Sequence, residues 1–521
     1  MLSAPFAPLY AARGMVCSVD HHATTAGVEM LRTGGSAADA AIAAGAVLVV
    51  TTQHMCGLGG DLLAVVHRPG EQPVALDASG RAGSGADPHR LRDEGHTVMP
   101  PSGDIRAVPV PGCVDGWMAL HDRFGRLDLE RVLAPAIAFA EDGFAVSVTL
   151  AAAAAELAGR DDVGELRDAT VPGVVIRRPG VARLLRAVAA EGRDGAYLGE
   201  FGAGLLELGS GEYTEDDLRR PTGDWRPALG LDVWDVQLWT VPPVSQGYLT
   251  LAGAWLASRL PLPDDAADPA WAHLTVEAAR QAGFDRPDVL HEHADGAALL
   301  ATERLQARRD AIDPQRAATL PGRYTAGGTI ALVAVDDERM AVSYVQSNAA
   351  GFGSGLVEPG TGVFLHNRGI GFSLRAGHPA EYGPGRRPPH TLSPLVVTRP
   401  DGALHAVLGT MGGDAQPQIL LQLLARLAGG ADAATAIAAG RWALASSSGG
   451  GFSTWAAGGD VVVRLEDTTP PSWDEALASR GHRVQRNGAA GFGHAHLIRV
   501  VGGALEGAAD PRARGGAAAG C

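Results

Sequence analysis

The sequence predicts a layered α/β protein in which strands from both halves of the chain join a single body. Three observations carry that prediction. Two apolar runs, 330–335 and 340–345, flank the polar step DDER and read together as a β-hairpin. An alanine-rich stretch, 37–50, has the small-residue density of a helix packed closely in an inner layer. Further strand-like runs interleave with helical patterns before and after the hairpin, with no tandem repeat and no clean linker.

Composition narrows the function classes. Hydrophobic residues make up 46% of the 521 and charged residues 19%, so the chain is globular. Lys and Arg number 43 against 58 Asp and Glu, a formal charge of −15, which argues against nucleic acid or an anionic membrane as partner. Cys17, Cys56, Cys113 and Cys521 are widely spaced and form no CxxC pair, so neither a zinc site nor a redox motif is expected. The opening MLSAPFAPLYAARG lacks the charged and apolar regions of a secretory signal, and the apolar stretch 40–52 is too short to span a bilayer. The expectation is a cytoplasmic protein with a small-molecule substrate. No motif implies a metal or an organic cofactor.

In chain order, residues 20–50 read as helix, Gly-Gly break and buried helix. The adjacent His21 and His22 have poor ligand spacing on a helix and read as ordinary polar residues. CGLGGD, 56–61, is a glycine-rich turn feeding the strand LLAVVH, and it lacks both GxGxxG spacing and a Walker lysine. VALDAS, 74–79, is a strand, and VPVPGCVDGW leads into helices around Leu120 and over 134–141. Residues 150–240 alternate helix and loop, with Thr214 as an N-cap. WDVQLWTVPPVSQG, 234–247, is strand then turn. Helix follows over 248–259, and charged, mostly helical sequence over 261–322. Residues 504–521 read as a frayed low-complexity end, with 513–521 disordered.

The chemistry sits at the head of the hairpin. Gly327 and Gly328 leave the backbone able to bend and place Thr329 at the first residue of a buried strand. If the bond before Thr329 is cut, the newly exposed α-amine becomes the base for the threonine's own hydroxyl. Locally, the same pattern also fits an ordinary strand start after a loop.

A dozen separated stretches then resemble, in order and over nearly the whole chain, the γ-glutamyltranspeptidase family of N-terminal-nucleophile (Ntn) hydrolases. They are HHATTAGVEMLRTGGSAADAA, CGLGGD, VPGCVDGW, PAIAFAEDGF, YTEDDL, VPPVSQG, the Gly-Gly-Thr at 327–329, GFGSG, GTGVFLHNRG, RPPHTLSP, GTMGGD and GAADPR. The resemblance implies a four-layer αββα sandwich made as a precursor that cuts itself between Gly328 and Thr329. Residues 1–328 would form a large subunit and 329–521 a small one, interwoven in one body as a heterodimer or as a dimer of such heterodimers. It makes Thr329 the nucleophile and puts Asp336 seven residues downstream, with Ile330 and Ala331 in place of the family's usual threonine and histidine. It assigns the oxyanion-binding amides to Gly412 and Gly413, and Ser347 or Gln346 is expected to hydrogen-bond the nucleophile.

The chain departs from the transpeptidases at the γ-glutamyl clamp. Ser79 stands where the family's arginine is expected, with Arg81 two residues on, and HNRGIG, 366–371, carries no carboxylate. His390-Thr391 replaces the family's serine pair. A buried ammonium without an acid partner is costly, so glutathione-like substrates are disfavoured. ASGRA, HNRG, RPPHTLSP and GTMGGDAQPQ instead resemble the oxamate amidohydrolase-like branch. There Arg368 and Arg81 would grip a small carboxylate, while Ser79, His390, Thr391 and Asp414 complete the expected substrate-binding set. The leading reading is an amidohydrolase for a small acidic, oxalyl-like amide, acting through an acyl-enzyme. The alternatives are γ-glutamyl hydrolysis or transpeptidation, C–C cleavage releasing an oxalyl unit in an antibiotic pathway, and a catalytically inactive scaffold.

Overall fold

The computed structural model describes residues 5–320, 329–446, 461–488 and 491–521. Gly327 and Gly328, and with them the bond before Thr329, lie outside these residues.

Two seven-stranded antiparallel sheets lie face to face, with helices over both outer faces, which is the αββα sandwich. The first sheet runs, edge to edge, Ala517–Gly520, Met15–Ser18, Ile330–Val335, Ala341–Ser347, Asp61–His67, Val74–Ala78 and Asp224–Pro227. The second runs Leu9–Ala11, Ala504–Ala509, Ala495–Val501, Leu404–Thr410, Leu395–Thr398, Val236–Thr240 and Leu229–Val233. Each sheet therefore takes strands from both sides of Thr329, as the interleaved pattern predicts.

The hairpin strand Ile330–Val335 is an uninterrupted apolar run because both of its faces are buried. Ile330, Leu332 and Ala334 pack into the core beneath the helices His21–Arg32, Ala37–Thr51 and Leu129–Asp142. Ala331, Val333 and Val335 enter the core between the sheets, with Val396, Val407 and Ile498. Ala37–Thr51 starts at a capping box, Ser36 with Asp39, and every one of its residues is buried. Its alanines and glycine allow the close approach to its neighbours that an inner layer needs. Thr214 caps its helix as expected, again in a capping box, with Asp217.

One expectation changes. Residues 504–521 are not a frayed end: Ala504–Ala509 is a sheet strand, and Ala517–Gly520 pairs antiparallel with Met15–Ser18. The expected disorder over 513–521 is thereby corrected. Low complexity misled because a strand of Ala and Gly offers no periodicity, and what orders it is the hydrogen-bonding edge of Met15–Ser18. Asp336, for its part, stands at the opposite end of Ile330–Val335 from Thr329. It accepts the Met340 and Glu338 amides at the hairpin turn and the Ala37 amide at the start of the buried helix, at 2.9, 3.1 and 3.1 Å. It ties turn to helix and lies away from the threonine.

Candidate active site

Strand register builds the site. Ile330 pairs with Gln346, Ser347 with Asp61, and Leu62 with Ala78. Thr329, Ser347, Asp61 and Ser79 therefore form one row across four adjacent strands or their immediate extensions. Side chains alternate along a strand, so these residues share the inner face with Ala331, Val345, Leu63 and Ala75. Thr329 is 1% exposed, and its Oγ1 lies 3.0 Å from Ser347 Oγ. Ser347 Oγ also accepts the Ala349 amide at 2.8 Å.

The second sheet supplies the facing wall. Leu395 pairs with Leu408, so the segment entering Leu395–Thr398 and the turn leaving Leu404–Thr410 lie at the same end. His390, in that segment, reaches across to Asp61, which fixes this end over the row. Gly409 lies so close to Ala331 that a Cβ there would come within 3.1 Å of the Ala331 Cβ. The turn that follows is Gly412-Gly413, with φ of 142° and 56°, a backbone that glycine adopts without strain. Gln246 Nε2 donates to both Gly413 O and Thr391 O at 2.9 Å and so ties the turn to the His390 segment.

At the centre of the row is Asp61, fully buried. Its Oδ2 accepts Arg368 Nε at 2.7 Å and His390 Nε2 at 2.8 Å, with His366 Nδ1 at 3.4 Å. Burial opposes its ionisation, yet Arg368 and then His390 hold its carboxyl well below the usual carboxylate range. His390 Nε2 carries the proton, because a carboxylate only accepts, and its Nδ1 accepts the Leu392 amide at 3.2 Å. Burial, then the Arg368 charge, lower its pKa to about 4, so the ring is neutral at pH 7. Arg368 is 2% exposed and donates from Nη1 to Thr391 Oγ1 at 3.2 Å. Its Nη2 and Asp61 Oδ1 have no hydrogen-bond partner among the described residues. A buried donor and a buried acceptor on the two members of one ion pair, neither with a hydrogen-bond partner among the described residues, match in kind a small ligand bearing both a carboxylate and an N–H or O–H group.

The other expected residues fall around this centre. Ser79 lies in the row, but the guanidinium on it is that of Arg387, at 3.1 Å from Ser79 Oγ and 3.3 Å from Asp77 Oδ1. Arg81 points instead to Asp224 at 3.0 Å and Glu292 at 4.0 Å. Asp414 forms an ion pair with Arg286 at 3.4 Å. Thr329, Ser347, Ser79, Arg368, His390 and Thr391 are thus linked through the row and Asp61, and Gly412-Gly413 faces the same end. Sequence reasoning missed Asp61, Gln246 and Arg387 as site residues. Asp61 ends the motif CGLGGD and Gln246 is the last residue but one of VPPVSQG, and the glycines and prolines of these motifs drew attention away from the polar residue each delivers.

Burial also sets an acid limit on stability. The pKa values of His54, His390 and His494 fall to about 4, and those of His482 and His496 to about 3, in each case chiefly through burial. Below the ordinary value near 6.5 the unfolded chain takes up protons that the folded chain refuses. Stability is therefore full above about pH 6.5 and is lost as pH falls toward 4, at up to about 1.4 kcal/mol per pH unit for each histidine. Thermal melts from pH 7.5 to 4.5 should show a steadily falling Tm, and a flat profile would contradict the burial of these rings as neutral groups.

Comparison with known proteins agrees with this architecture. The family model described as gamma-glutamyltranspeptidase matches residues 23–520. The chain is 36% identical to the oxamate amidohydrolase proenzyme of Klebsiella pneumoniae, over 97% of this chain and 98% of that protein. It is 31% identical to a glutathione hydrolase-like proenzyme of Bacillus subtilis, over 96% and 98% of the two chains. Among solved structures, the cephalosporin acylase of Bacillus halodurans superposes with a TM-score of 0.90 at 30% identity, covering 100% of this chain and 99% of that one. No helix among the described residues is long and apolar enough to cross a membrane.

Proposed function

Because the chain belongs to the γ-glutamyltranspeptidase family of Ntn hydrolases, we propose that it is a self-processing N-terminal-threonine amidohydrolase for a small carboxylate-bearing amide of the oxamate or oxalyl type. The observation that carries this reading is the buried Arg368–Asp61 pair, with Nη2 and Oδ1 open, in the same row as Thr329.

In the precursor, the Thr329 hydroxyl attacks the Gly328 carbonyl, the C–N bond breaks, and water hydrolyses the resulting ester. Large and small fragments then stay associated, because both sheets draw strands from each. In the mature protein the Thr329 α-amine takes the hydroxyl proton as Oγ1 attacks the substrate carbonyl. Ser347, 3.0 Å from Oγ1, orients that hydroxyl. The Gly412 and Gly413 amides receive the developing oxyanion, a role worth on the order of 10²–10³ in rate for one donor. The carboxylate lies on Arg368 Nη2, the amine departs with the proton returned by the α-amine, and water releases the acyl group. Arg81 and Asp414 stand one layer further out in this account, engaged with Asp224 and Arg286, while Ser79, in the row beside Asp61, is engaged with Arg387.

Purified protein should release ammonia from oxamate and leave a γ-glutamyl anilide uncut, since the carboxylates of this site among the described residues, Asp61, Asp77 and Asp414, are each already paired with an arginine. Rapid release of the anilide chromogen, with oxamate untouched, would overturn the proposed substrate class and leave the nucleophile in place.

A further inference from the structure

The Gly412-Gly413 turn has two residues at positive φ and no side chains of its own, so its geometry must be imposed from outside. Two of the restraints lie close at hand: the Ala415 amide donates to Gly412 O at 3.0 Å, and Gln246 Nε2 to Gly413 O at 2.9 Å. A third comes from the residue directly after the turn. Asp414 is paired with Arg286 at 3.4 Å, and their side chains are only 9% and 7% exposed. A buried ion pair of this kind is a poor source of stability, because desolvation of both charges offsets their attraction, and its best-attested use is to fix geometry. Arg286 is itself well anchored. It opens the short helix Arg286–Val289, and the preceding Asp285 accepts Arg304 and Arg308 at 2.6 and 2.7 Å.

We infer that Arg286 is a positioning residue: through Asp414 it aims the Gly412 and Gly413 amides at the place where the oxyanion forms. This inference rests on the proposed role of those two amides. It also reassigns Asp414, which holds the turn and does not touch the substrate. The consequence is specific, because an oxyanion exists only in the tetrahedral intermediates and the transition states that flank them, not in the bound substrate. Loss of Arg286 should slow every step that passes through an oxyanion while leaving ground-state binding of the substrate alone.

The test compares Arg286→Gln, Asp414→Asn, the double variant and Arg286→Lys with the wild type, reading the rate of self-cleavage together with kcat and KM on oxamate. Each charge-removing variant should lower kcat and the cleavage rate about 10- to 100-fold, with KM changed less than about 3-fold. That is a fraction of what losing a whole oxyanion donor costs. The double variant should be no worse than either single one, since the two residues act as a unit, and Arg286→Lys should recover part of the loss. A folded Arg286→Gln protein with wild-type kcat and cleavage rate would overturn this inference alone. So would an Asp414→Asn protein whose KM rises at constant kcat, because Asp414 would then be a substrate ligand. A wild type that neither cleaves itself nor turns over would overturn the nucleophile reading, and this inference with it.

Discussion

Thr329→Ala is expected to give one uncut 521-residue chain with no amidase activity. The substitution removes the oxygen whose attack opens both reactions, so self-cleavage and turnover should fail together, by a factor on the order of 10⁵–10⁶ for the chemical step. The cause will not be unfolding. Thr329 is 1% exposed, and its loss forfeits a hydroxyl contact with Ser347, worth about 1 kcal/mol, together with one methyl group. Melting curves of the variant and wild type should therefore lie within a few degrees. Thr329→Ser keeps the nucleophilic oxygen and should still be cut, more slowly, with measurable turnover. An active Thr329→Ala protein would remove Thr329 from the mechanism.

Arg368→Lys is the second large effect, and it separates binding from processing. Lysine keeps a positive charge beside Asp61, so the buried carboxylate is not left alone, a situation that costs about 3–5 kcal/mol. What disappears is the planar fork, with Nε on Asp61, Nη1 on Thr391 and Nη2 open to the ligand. Losing the charge-assisted hydrogen bond from Nη2 to a substrate carboxylate, worth about 1.5–3 kcal/mol, should lower kcat/KM on oxamate about 10- to 10²-fold. Self-cleavage passes through the Gly328 carbonyl and involves no carboxylate, so it should proceed at close to the wild-type rate. Self-cleavage thereby also reports that the variant is folded. If Arg368→Lys left kcat/KM unchanged, the proposed carboxylate site would be wrong.

Much of this site was legible before the structure, and the parts that were not share a physical reason. The strand Ile330–Val335 was readable because a strand buried on both faces leaves an unbroken apolar run, whereas Thr329 at its head also fitted an ordinary strand start and was singled out, with Ser347, through the family resemblance. The sandwich and the proposed oxyanion role of Gly412-Gly413 came only from the family resemblance, since Gly412-Gly413 alone looks like any turn between strand and helix. Asp61 was hidden because its place in the row depends on the pairing of Ser347 with Asp61, a contact 286 residues apart in the chain that no local pattern encodes. The exchange of Arg81 for Arg387 beside Ser79 has the same origin: which of two nearby guanidiniums faces a serine is decided by packing. The terminal strand Ala517–Gly520 was missed for the opposite reason. Its residues carry almost no signal, and its order comes from the neighbour it pairs with.

The measurement that bears most directly on the account is the intact mass and N-terminal sequence of the wild-type protein after incubation at neutral pH. The account predicts two fragments, 1–328 and 329–521, that co-elute under native conditions, with the second beginning at Thr329. A chain that stays whole, or one cut so that Thr329 is not the new N-terminus, would contradict it.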